Sequence, residues 1–176
     1  EFLRTYHWDS KLKSVLNNVF KIPSFRKHQK EAINAVLCGK DVFVVKPTGG
    51  GKSLIFQAPA LMHDGFTLVI SPLVSLSHDQ SLHLHELGIP NFVLDSSTTK
   101  SEVKSIYQAM LETKPKNTVG NSNVLYEPSP GMKILYVTPE KIISSKRLFQ
   151  KLQQAAKLNR LKRIVIDEAH CVSGWG

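Results

Sequence analysis

The chain has 176 residues, enough for one domain with a sizeable core, and its 41% hydrophobic and 21% charged residues match ordinary globular usage. Lys and Arg number 23 against 14 Asp and Glu, and the formal net charge of +9 suits a polyanionic partner without proving one. Cys38 and Cys171 stand far apart with no CxxC, which argues against a disulfide framework and a structural zinc site, and no apolar run is long enough to cross a bilayer.

Residues 1–9 are polar and aromatic, unlike a signal peptide, so a soluble intracellular domain is expected. Ser10 can cap a helix whose Leu12, Val15, Leu16 and Val19 share one face. A second helix is expected over 27–38, with Gly39 where a C-terminal glycine ends it. DVFVVK at 41–46 reads as a short buried strand, followed by the glycine-rich 47–53 and another helix. TLVIS at 67–71 is the next strand, and 76–87 a helix stopped by Gly88. Thr99 and Glu102 form a capping-box pattern ahead of Val103, Ile106, Tyr107 and Met110.

Residues 114–131, rich in Pro, Gly, Asn and Ser, read as a long surface loop; a DNA- or partner-contacting element is the alternative. KILYVT at 133–138 is a strand, Thr138 and Pro139 open a helix as N-cap and first residue, and RIVID at 163–167 is the last strand. This alternation of helix and strand marks an α/β fold with a mainly parallel central sheet flanked by helices. No internal repeat is present.

Two segments carry chemistry. In Pro47-Thr48-Gly49-Gly50-Gly51-Lys52-Ser53, glycines bring backbone N–H groups close to phosphate oxygens, and the helix that follows turns its dipole toward the anion. Lys52 adds a point charge for the β and γ phosphates, and the Ser53 hydroxyl is placed to ligate Mg²⁺. Lys46 stands where the strict phosphate-loop pattern has glycine. The second segment, Asp167-Glu168-Ala169-His170, follows a strand whose carboxyl end faces the crevice of an open α/β sheet. Asp167 can hold Mg²⁺ through water, and Glu168 can polarise the attacking water. His170 gains meaning only beside that pair.

PTGGGKS and DEAH together resemble the superfamily 2 helicases, in which the first loop glycine is commonly replaced. Phe25-Arg26-Lys27-His28-Gln29-Lys30-Glu31-Ala32-Ile33 resembles the FRxxQxxxI element of the RecQ family. The resemblance implies that Gln29 reads the adenine edge and that Arg26 supports the nucleotide. Ser71-Pro72-Leu73-Val74-Ser75-Leu76 with Asp79-Gln80 resembles motif Ia, and Tyr136-Val137-Thr138-Pro139-Glu140 resembles motif Ib. In the family these flank the tracked strand, which implies phosphate contacts from Ser71, Pro72, Thr138 and Pro139. Cys171-Val172-Ser173-Gly174-Trp175-Gly176 resembles the start of the RecQ aromatic-rich loop, with Gly174 in place of the expected glutamine and Trp175 as its strand-sensing aromatic.

The resemblance spans roughly residues 20–176. It implies a first RecA-like ATP-binding domain over 25–176 after a helical lead-in at 1–24. It further implies ATP and Mg²⁺ as cofactors, and single-stranded DNA and duplex junctions as partners. A second RecA-like domain of the same polypeptide would complete 3′-to-5′ unwinding, with nuclear residence in a eukaryote or cytoplasmic residence otherwise. An RNA helicase of the DEAD or DEAH groups shares the nucleotide site but should lack CVSxWG and the FRxxQ placement. A small P-loop kinase or GTPase requires acceptor residues that the chain does not show. A non-catalytic nucleic-acid-binding module would be indifferent to Lys52→Ala.

Several bland readings hold elsewhere. Lys11, Lys13, Lys27 and Lys30 suit solvated helix faces, and His83 and His85, two apart, do not face together on a helix. Tyr6 and Trp8 can stack on a base or clamp the N-terminal helix.

Overall fold

The computed structural model describes residues 2–47, 49–112 and 131–174. Thr48, Trp175 and all of the expected 114–131 loop except Gly131 lie outside the described residues. The described chain divides into two compact units, one up to residue 63 and one from residue 64 onward.

The first unit is helical. α1 (Asp9–Ser14) continues into a π-helical turn, Val15–Val19, in which the Phe20 N–H donates to Val15 O at 3.1 Å. α2 is Gln29–Leu37 and α3 is Lys52–Leu61. Ser10 is not the cap of α1: Trp8 holds that position and Ser10 lies within the first turn. The entry is fixed upstream, because the Trp8 ring stacks on Tyr6 at 4.7 Å and its Nε1–H donates to Asn34 Oδ1 on α2 at 3.0 Å. The two aromatics therefore clamp the helix, with Leu12, Val15, Leu16 and Ile33 buried beside them. Lys30 is likewise committed, pairing with Asp9 at 2.9 Å.

The expected strand at 41–46 does not form. Phe43 is 86% exposed, and Val42 and Val45 also face solvent. A strand exists only when a neighbour takes its N–H and C=O groups. The first unit contributes no strand among the described residues, so an apolar run alone does not make one.

The second unit is a sheet with helices. β1 (Phe66–Ile70), β2 (Asn91–Leu94), β3 (Ile134–Val137) and β4 (Leu161–Ile166) are all parallel, in the order β2-β3-β1-β4. Between them run α4 (Val74–Glu86), α5 (Lys100–Leu111), α6 (Pro139–Ser144) and α7 (Lys146–Lys157). Phe66 and Leu68 of β1 and Leu135 and Val137 of β3 pack with Ile106 and Met110 of α5 and Leu148 and Leu152 of α7. The alternate residues Val69, Ile134 and Tyr136 are also fully buried, as expected for central parallel strands covered on both faces. The capping box forms as expected: Thr99 Oγ1 accepts from Glu102 N at 3.3 Å and Glu102 Oε2 accepts from Thr99 N at 2.8 Å. Gly39 and Gly88 end α2 and α4 with φ of +74° and +71°.

Just past β2, Asp95 is 1% exposed and densely bonded. Its Oδ1 accepts from Ser97 N at 2.7 Å and Ser97 Oγ at 2.6 Å, and its Oδ2 lies 2.7 Å from Nε2 of His78 on α4. Burial pushes the Asp95 pKa up, but the bonds from Ser97 and His78 outweigh it and hold the value at about 2. The folded value thus lies below the unfolded one, so the stabilisation is complete above pH 4 and is lost as pH falls through about 2. Asp95→Asn is expected to lower the free energy of unfolding by about 2 kcal/mol at pH 7. In urea titrations, the gap from the parent chain should narrow as pH falls from 4 toward 2, and a gap of constant size would contradict the assignment.

Candidate nucleotide and nucleic-acid site

The glycine loop in the first unit is held by residues at and just before the start of α2. The Arg26 guanidinium donates to Gly49 O. Gln29, only 2% exposed, accepts from Arg26 N at 2.7 Å through Oε1 and donates to Gly51 O at 3.0 Å through Nε2. Gly51 has φ of +76°, a backbone conformation that favours glycine, and a Cβ there would displace the Gln29 amide from its place. The Gly50 N–H donates to Pro47 O at 3.0 Å, which closes the turn.

Lys52 opens α3 and folds its ammonium back onto the carbonyls of Lys46 and Pro47, at 3.0 and 3.2 Å. Lys46, at the position of the missing glycine, anchors the loop entrance by donating to Lys27 O at 2.8 Å. No side chain caps the N-terminus of α3. The first N–H groups of the helix, those of Lys52 and Ser53 among them, have no carbonyl of their own helix to bond and lie at the positive end of its dipole, next to the Lys52 ammonium.

In the second unit, the parallel ladder brings the other candidates to one rim. Reading across the sheet, the strand ends deliver Asp95, Thr138, Ser71 and Asp167 in turn. The Ser71 N–H donates to Val137 O at 3.0 Å and the Asp167 N–H to Ile70 O at 2.9 Å, so the ladder fixes both residues. Ser71 is 2% exposed, yet its hydroxyl has no hydrogen-bond partner among the described residues. Pro72 follows, and α4 starts with no side-chain cap. Thr138 Oγ1 accepts from Lys141 N at 3.4 Å, with Pro139 as the first residue of α6.

Beyond β4 the backbone turns sharply: Glu168 has φ of +51°, and its N–H donates to Asp167 Oδ1 at 3.0 Å. Glu168 Oε2 lies 3.3 Å from His170 Nδ1, so the two residues singled out in sequence are brought together. A 3₁₀ helix, Ala169–Gly174, continues the chain, starting with the Cys171 N–H donating to Glu168 O at 2.9 Å.

Two rim contacts escaped the sequence. Tyr136 of β3 donates to Gln80 of α4 at 3.0 Å, tying the motif Ib segment to the motif Ia segment. The Asp95–His78 pair was also missed, although Asp-Ser-Ser-Thr-Thr after a strand is an Asx-turn signature that could have revealed its acceptor half.

Comparison with known proteins agrees with this geometry. The family described as DEAD/DEAH box helicase matches residues 26–176. The chain is 46% identical over 171 residues to ATP-dependent DNA helicase Q1 of Pongo abelii, a match covering 97% of this chain and 24% of that protein. It is 45% identical to ATP-dependent DNA helicase Q-like 2 of Arabidopsis thaliana, over 98% of the chain and 22% of the relative. To RecQ-like DNA helicase BLM of Xenopus laevis it is 44% identical, over 92% and 11%. The chain therefore spans about a quarter or less of the length of these relatives. It belongs to the DEAD/DEAH box helicase family and, over nearly all of its length, is similar to RecQ-type DNA helicases.

Proposed function

We propose that this chain is the ATP-binding part of a RecQ-type helicase that unwinds DNA in the 3′-to-5′ direction, with 25–176 as its first RecA-like domain. The observation that carries the reading is the uncapped start of α3, entered through the glycine turn and flanked by the Lys52 ammonium. Such an arrangement is made for a polyphosphate.

In this reading the amides of 48–53 receive the phosphates and Lys52 leaves its carbonyls for the β and γ oxygens. Arg26 and Gln29 hold the loop's shape. Gln29, whose carboxamide is of the type that pairs with an adenine edge, is held at the loop by its bonds to Arg26 N and Gly51 O. Ser53 would offer a hydroxyl and Asp167 a carboxylate of the oxygen type that Mg²⁺ takes, and the ion would neutralise charge on the phosphates. Glu168 orients the attacking water, and His170, against its carboxylate, relays the state of the nucleotide toward the aromatic-rich segment that contains Trp175. Ser71, Pro72, Thr138 and Pro139 receive the phosphates of single-stranded DNA along the rim. A second RecA-like domain would bring an arginine finger, worth roughly 10³–10⁵ in rate in comparable enzymes.

The 176-residue chain should therefore bind a fluorescent ATP analogue with Mg²⁺ weakly and hydrolyse ATP very slowly. Lys52→Ala should weaken that binding at least tenfold. Brisk DNA-stimulated ATPase from this chain, or unchanged nucleotide affinity in Lys52→Ala, would contradict the proposal.

Ser71 allows a test in which stability and binding move in opposite directions. A buried hydroxyl without a partner costs about 1–3 kcal/mol. Ser71→Ala should raise the urea midpoint or leave it unchanged, while single-stranded DNA affinity drops several-fold. Equal DNA affinity in parent and variant would remove Ser71 from the interface.

A further inference from the structure

α6 and α7 flank a shallow open groove of about 410 Å³, lined by Ile142, Ile143, Lys146, Phe149, Gln150 and Gln153. α7 buries Leu148, Leu152 and Ala155 in the core and still turns Phe149 outward, 54% exposed, while Ile143 on α6 is 74% exposed. Ser145 ends α6 and caps α7, its Oγ accepting from Leu148 N at 3.2 Å. The groove is thus preformed by a fixed helix–helix junction.

Its electrostatics are one-sided. From Pro139 to Lys157 the cations are Lys141, Lys146, Arg147, Lys151 and Lys157, and the only acid is Glu140, at the opposite end of α6 from the junction. Arg147 lies over the Tyr107 ring at 5.6 Å and Lys151 bonds Gln154, whereas Lys146 lines the groove itself.

We propose that this groove docks an acidic amphipathic helical segment of a partner protein. Apolar anchors one turn apart would seat on Ile143 and Phe149, and flanking carboxylates would face Lys146 and Lys141. A helix-in-groove contact needs this combination of exposed apolar side chains on a rigid floor and a complementary charged border. Nucleic acid fits less well, because a phosphate backbone seeks rows of donors and the floor is aliphatic and aromatic. A second copy fits poorly too, since an isologous contact would set one cationic border against another.

The test uses the 176-residue chain and a fluorescein-labelled amphipathic peptide with Leu and Phe at i, i+3, i+4 and i+7 and Glu on its polar face. A counterpart with Lys for every Glu serves as the charge-reversed probe. Anisotropy should show binding of the acidic peptide only, weakened about tenfold by Ile143→Ser or Phe149→Ser and by Lys146→Glu. Hydrogen exchange should slow across 139–157 on binding. All three variants alter groove-lining surface side chains, and unchanged urea midpoints would verify their folding. The proposal is overturned if both peptides bind alike or the variants bind the acidic peptide as tightly as the parent. It also fails if Phe149→Ser instead abolishes self-association in sedimentation, or weakens single-stranded DNA binding while peptide binding persists.

Discussion

Parallel strands cannot be joined by a tight hairpin, so each of β1–β3 must hand the chain to a helix before the next strand begins. All four strands then end at the same rim, and whatever residue follows each strand is placed there by the backbone ladder. Ser71, Asp95, Thr138 and Asp167 come from positions nearly a hundred residues apart, yet the register of a few main-chain bonds sets their order. A residue inserted in β1 would exchange Leu68 and Val69 between the two faces, and the α5–α7 core would lose its fit.

The rim is rigid in one place and unsatisfied in another. Asp95 has both oxygens engaged, so the segment between β2 and α5 is tied to α4 through His78 and closed by the capping box at Thr99. Ser71, after β1, has a buried hydroxyl with no partner among the described residues, and α4 begins beyond it without a side-chain cap. The polar groups at the edge strand β2 are thus satisfied, while the Ser71 hydroxyl after the central strand β1 is not.

The glycine loop follows similar logic with different parts. Its shape is imposed by Arg26, just before α2, and by Gln29, the first residue of α2, so a change in the loop must be felt at the start of that helix. The ammonium of Lys52 rests on two carbonyls, a weaker environment than phosphate for a full positive charge.

Much of this was legible in the linear sequence. Capping box, N-cap with proline and terminating glycines depend on neighbours within a few residues, and those contacts formed as expected. The resemblance to RecQ helicases was legible for the same reason, being carried by short contiguous motifs. Three-dimensional contacts decided the rest. Val42, Phe43 and Val45 have the composition of a strand, but strand formation depends on a partner that composition cannot supply. Ser10 lost the cap of α1 because Trp8 found Asn34, 26 residues away. The pairing of His78 with Asp95 and the isolation of the Ser71 hydroxyl required the sheet to be assembled, since hydrogen bonds between distant side chains are fixed by packing and not by spacing along the chain.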